Sequence, residues 1–80
     1  MLRIYEVIST EENSYFGCLV ASPSLISAVE LATSSGLSTD VWRAYEIGIL
    51  GGNGTELFLR GPYRISERAL NEGEKESSII

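Results

Sequence analysis

Apolar positions along this chain switch between the period of a strand and the period of a helix. Leu2 to Ile8 and Tyr15 to Ala21 are rich in β-branched and aromatic residues and predict two strands. Ser9-Thr10-Glu11-Glu12-Asn13-Ser14 between them is polar throughout, the composition of a hairpin loop. From Ser22-Pro23 the period changes. A serine can cap the first free amides of a helix whose opening position suits proline. Leu25, Ala28, Val29 and Ala32 then fall at i, i+3, i+4 and i+7, widened by Ile26 and Leu31, while Ser24, Ser27, Glu30 and Ser34 are left for solvent. Gly36 suits the left-handed position that ends a helix, with Leu37 folding back as its apolar contact.

Val41 to Leu50 returns to period two, with Val41, Tyr45, Ile47 and Ile49 on one phase and Trp42, Ala44, Glu46 and Gly48 on the other. A helical start capped by Ser38 is the alternative for the beginning of this stretch. Gly51-Gly52-Asn53-Gly54 predicts a turn and Thr55 to Arg60 the returning strand, hence a second hairpin. Gly61-Pro62 is expected to stop that strand, and Ile65 to Asn71 to form a short helical turn capped by Ser66. The order β-β-α-β-β predicts an α+β domain, an antiparallel four-stranded sheet covered on one face by one helix. Residues 1–72 form this single domain, and 73–80 a polar tail.

Composition narrows what such a domain does. The chain has 80 residues, 44% of them hydrophobic, enough for one core and too few for two. Asp and Glu number 11 against 6 Lys and Arg, a formal net charge of -5, which disfavours direct contact with nucleic acid. A protein partner with a basic surface suits that charge better. No apolar run approaches a membrane span and the opening residues do not read as a signal peptide, so a soluble, cytoplasmic protein is expected. Cys18 is the one cysteine, which excludes an internal disulfide.

Histidine is absent, removing the usual proton carrier near neutral pH and a common zinc ligand. Cys18 sits among Phe16, Leu19 and Val20 and reads as core. Glu11 and Glu12 lack the alternating ligands of a calcium loop. The glycine-rich run 51–54 leads into a strand rather than a helix, unlike a phosphate-binding loop. No enzyme activity, cofactor or metal is expected.

One helix cannot cover both faces of four strands whose two phases are both apolar. With Ile4, Cys18, Val20, Tyr45, Ile47, Leu57 and Leu59 towards the helix, the open face presents Trp42, Phe58 and Tyr15 beside Glu46, Glu56 and Arg60. Aromatics rimmed by charge describe an interaction patch. Two other arrangements would use the same face: a C-terminal segment bringing Tyr63 and Ile65 across it, or a homodimer.

From Leu19 to Arg60, with Val20-Ala21-Ser22-Pro23-Ser24-Leu25-Ile26-Ser27-Ala28-Val29-Glu30-Leu31-Ala32 leading into a tyrosine-bearing strand and a glycine-rich turn, the chain resembles small phage and mobile-element accessory proteins. Some anti-CRISPR inhibitors share this element order. The resemblance implies a non-catalytic inhibitor in the host cytoplasm, docking on a CRISPR effector subunit with a basic groove. Glu11, Glu12, Glu46 and Glu56 would then meet its Lys and Arg, and Trp42 and Phe58 would anchor the contact.

Overall fold

The computed structural model describes residues 1–66. Strands β1 (Arg3–Glu11) and β2 (Ser14–Ser22) precede helix α1 (Leu25–Ser34), and β3 (Val41–Ile49) and β4 (Leu57–Ile65) follow. All pairings are antiparallel, and one helix lies on one face of the sheet, the α+β architecture expected from the order ββαββ. The expected helical turn over 65–71 begins on a strand residue, Ile65; Ser66, its expected cap, is an exposed residue without regular structure, and 67–71 fall outside the described residues, as does the tail.

Strand order is where the structure departs from the local reading. The sheet runs β3-β1-β2-β4, so β3 and β4 occupy opposite edges and form no hairpin. The glycine-rich run does not close a turn but carries the chain across the end of the sheet. Leu50 and Gly51 donate their amides to the carbonyl of Leu2 at 2.9 and 3.1 Å, and the Leu2 amide donates to Gly52 at 3.2 Å. Gly51 and Gly52 take φ of +83° and +73°, which lets the backbone wrap round the start of β1. The most apolar strands thereby become the central pair: Val7 and Ile8, successive residues of β1, are both buried although they face opposite sides.

The polar stretch after Ile8 is likewise no six-residue loop. Pairing continues to Glu11 opposite Ser14, and Glu12-Asn13 alone turn the chain, both with positive φ (49° and 65°). Two positive-φ residues make the twist-matched hairpin turn, and asparagine tolerates that conformation well.

Helix α1 starts two residues later than expected. Ser24, not Ser22, is the cap, its Oγ accepting from the Ser27 amide at 3.2 Å. The C-terminus closes as read from the sequence: Gly36 at φ +116° lets Leu37 N–H reach the Ala32 carbonyl and Gly36 N–H that of Thr33, the paired bonds of a Schellman motif. Ala28 and Ala32 are wholly buried on the sheet, with Val29 and Leu31 packed beside them. Leu25 and Ile26, assigned to the apolar stripe, stand exposed in the first turn. Tyr5, Val7, Cys18, Val20 and Leu37 complete the core, supported by Phe16, Val41, Ala44 and Phe58.

Strand β4 does not stop at Gly61-Pro62. It passes through them by a bulge in which Gly61 and Pro62 lie opposite Cys18, between the pairs Leu19–Arg60 and Gly17–Tyr63, and then continues to Ile65. The Gly61-Pro62 peptide is cis, and Gly61 has φ +123°. No helix among the described residues is long and apolar enough to cross a membrane.

Candidate functional site

Residues paired across antiparallel strands share a face, so the register assigns the side of the sheet away from α1. Two adjacent rows cross it. In the order β3, β1, β2, β4, one row reads Arg43, Ile8, Gly17, Tyr63 and the next Tyr45, Glu6, Leu19, Arg60. Tyrosine and arginine thus exchange edges between the rows, around a centre formed by Ile8, Glu6, Leu19 and a glycine.

Glu6 ties the two edges together. Its Oε1 accepts from the Tyr45 hydroxyl and its Oε2 from the Tyr63 hydroxyl, although those tyrosines lie on opposite edge strands. Tyr63 reaches so far because Gly17 leaves its path clear: a Cβ there would meet the ring at 3.0 Å and Ile65 Cδ1 at 2.8 Å. Burial under neighbouring side chains, followed by the bond to Glu6, pushes the Tyr45 hydroxyl up to about 12 and raises that of Tyr63 well above its ordinary range. With Tyr63 and Ile65 lying over Gly17, Ile8 is almost wholly buried on a face that no second layer covers among the described residues.

The guanidinium groups lie over the rings. Arg43 sits 5.1 Å from the Tyr45 centroid and 5.8 Å from that of Trp42, and Arg60 lies 5.1 Å from Tyr63. Trp42 is the extra residue of a β3 bulge, between the pairs Arg43–Ile8 and Val41–Ser9, and its ring meets Tyr15 edge-on at 5.3 Å. Four aromatic rings therefore form one band with two arginines. Neither arginine makes an ion pair among the described residues, where the one such pair is Arg3 with Glu46 at 2.8 Å.

The seven residues expected to bind a partner divide into two groups. Trp42 and Tyr15 meet on the open face. Glu11 and Glu12 lie close by at the hairpin end, where they line a cleft of about 350 Å³ with Thr10, Asn13, Tyr15 and Asp40. Phe58 pairs with Val20 and packs in the core on the helix side. Glu46 pairs with Tyr5, also on the helix side, with Arg3 as its partner. Glu56 is exposed in the crossing loop just ahead of β4. The physical reason is the bulges: each inserts a residue that shifts the alternation of β3 or β4, so a strict two-residue phase misplaces what lies beyond it. The same shift puts Tyr45 and Leu57 opposite open-face residues rather than under the helix and gives Arg43 its place over the rings, while Ile4 lies on the open face by the unbroken β1–β2 register, opposite Ala21.

Sequence reasoning missed Glu6, Tyr45, Tyr63 and Arg43 as members of the site. One signal for Tyr63 was present, because a glycine inside an otherwise apolar strand, here Gly17, marks close approach by another group. Tyr63 and Ile65 do cross the open face, as one of the alternative arrangements had it, but as residues of β4.

Cys18 is buried and its thiol is pushed up by burial, away from the reactive thiolate. Among the described residues no group of three or more His, Cys, Asp or Glu could hold a metal ion. In comparison with known proteins, the chain matches no family model, no curated protein and no solved structure.

Proposed function

We propose that this chain is a non-catalytic binding module that engages a protein partner through the open face of its sheet. One observation carries the reading: Trp42, Tyr15, Tyr45, Tyr63, Arg43 and Arg60 converge on that face, linked by ring and cation-π contacts. Trp, Tyr and Arg dominate the energetic centres of protein interfaces, and carboxylates are depleted there. Glu6 is the one carboxylate in the two rows, and both of its oxygens are already engaged by phenols.

The experiment is affinity capture with the tagged chain, comparing wild type with Trp42→Ala. Trp42 is 41% exposed and sits at an edge, so its truncation leaves the core intact. Loss of a stoichiometric partner with an unchanged circular dichroism spectrum supports the reading. The same partner recovered at the same yield refutes it, and concentration-dependent light scattering of the chain alone would assign the face to a second copy.

The inhibitor of a basic, nucleic-acid-handling complex implied by the phage-protein resemblance is the second reading. It is favoured by the hairpin end, where Glu11, Glu12 and Asp40 surround one cleft beside Tyr15.

A further inference from the structure

The charge on the open face differs in sign from the charge of the molecule. The chain carries a net charge of -5. Yet the two rows that cross the face hold two guanidinium groups against one carboxylate. That carboxylate is occupied, accepting from Tyr45 and Tyr63. The guanidiniums are not: they rest on rings and make no ion pair among the described residues. Guanidinium groups held over aromatic rings keep their planar fork free for a carboxylate and lose little entropy in meeting one.

Resting on the binding-module reading, we infer that the partner presents an extended acidic segment, with carboxylates at alternate same-side positions i and i+4 and an apolar residue between them. The geometry is diagonal. Arg43 and Arg60 belong to adjacent rows on opposite edge strands. Three strand spacings and one row offset separate their Cα atoms by about 16 Å. Residues i and i+4 of an extended segment project to the same side about 13 Å apart, a gap that two arginine side chains span by leaning inward. Residue i+2 then falls over the centre of the rows, where half-buried Leu19 and the tyrosine rings offer an apolar seat. A nucleic acid strand would also suit arginines and rings, but the remaining charge of the molecule repels a polyanion, and two cations release few counterions.

The test uses labelled peptides with Glu, Leu and Glu at every second position in a serine background, the same peptide with Lys for Glu, and a short oligothymidylate. Affinities are read by fluorescence anisotropy against the full chain. The Glu peptide is expected to bind best, to weaken with salt, and to lose affinity by about tenfold or more in the double variant Arg43→Gln, Arg60→Gln. Charge reversal with Arg43→Glu and Arg60→Glu should transfer preference to the Lys peptide, with circular dichroism reporting that both variants fold. Preference of the wild type for the Lys peptide overturns the inference in favour of the second reading. Tightest binding of oligothymidylate overturns it in favour of a nucleic acid. Affinity for the Glu peptide that is absent, or unmoved by the arginine variants, overturns it outright. If Trp42→Ala abolishes partner capture while the arginine variants leave it unchanged, the binding module stands and the acidic partner falls.

Discussion

Replacing Gly61 by alanine tests the strand order directly. Gly61 has φ +123°, outside the range open to side-chain-bearing residues, and the substitution stores about 1–3 kcal/mol of backbone strain. The new methyl group has nowhere to go: an ideal Cβ would lie 2.7 Å from the Gly17 carbonyl oxygen, 2.9 Å from Cys18 Sγ and 3.0 Å from Cys18 Cα. Two of those three atoms are backbone of a central strand and cannot rotate away, so overpacking adds about 1–3 kcal/mol more. A chain of this length has a total stability of about 4–12 kcal/mol, so Gly61→Ala removes a large share of it. The assay is urea unfolding followed by far-ultraviolet circular dichroism. Gly54→Ala serves as control: its φ is not in the left-handed range and its Cβ meets only the flexible tip of Leu2, at 3.3 Å. We expect a loss of about 3 kcal/mol or more for Gly61→Ala and under about 1 kcal/mol for the control. A Gly61→Ala protein as stable as the control would refute the docking of β4 on β2. It would favour instead a strand that ends at Gly61, the local reading of the sequence.

Two further perturbations address the helix and the carboxylate bridge. Leu25 is 44% exposed in the first turn of α1, which has no acidic residue, so Leu25→Asp should change the melting temperature little, whereas Ala28→Asp buries an unpaired charge and should unfold the chain. Equal destabilisation by the two would contradict the helix orientation. Tyr45 holds its proton more tightly in the folded state than an unfolded tyrosine does, so its contribution to stability is complete below pH 10 and is lost as pH rises from there through about 12. Absorbance titration of the phenols should show late ionisation in the native protein and an earlier onset in Glu6→Gln, which removes the charge that opposes the phenolate; an unchanged titration would detach Tyr45 and Tyr63 from Glu6.

How much of this was legible from the chain depends on the range of the interaction involved. The helix and its end were written locally, because the Schellman closure at Gly36 and Leu37 joins residues only three and five positions apart, Gly36 to Thr33 and Leu37 to Ala32. Its start was misread by two residues, since Ser22, Ser24 and Ser27 all offer a hydroxyl and only the exit of β2 selects Ser24. That Trp42 and Tyr15 share the open face could be anticipated, but their meeting beside Glu11 and Glu12 could not, because it follows from the pairing of β3 with β1. Phe58 and Glu46 could not be placed, since bulges opposite β1 and β2 reset the phase of each edge strand.

By itself, then, the sequence determined the element types, their order, the single apolar core and the presence of more aromatic side chains than one helix can cover. Those properties follow from periodicity, capping and composition, which act over a few residues. Only the tertiary structure decided that β3 and β4 take opposite edges, that Tyr45 and Tyr63 meet at Glu6 although 18 positions separate them in the chain, and that two arginines rest on rings, with no ion pair among the described residues, on the face of an acidic protein. Strand order is settled by which pair buries most apolar surface and by where the crossing loop finds hydrogen bonds. Both are properties of the assembled sheet, and neither is carried by any one segment.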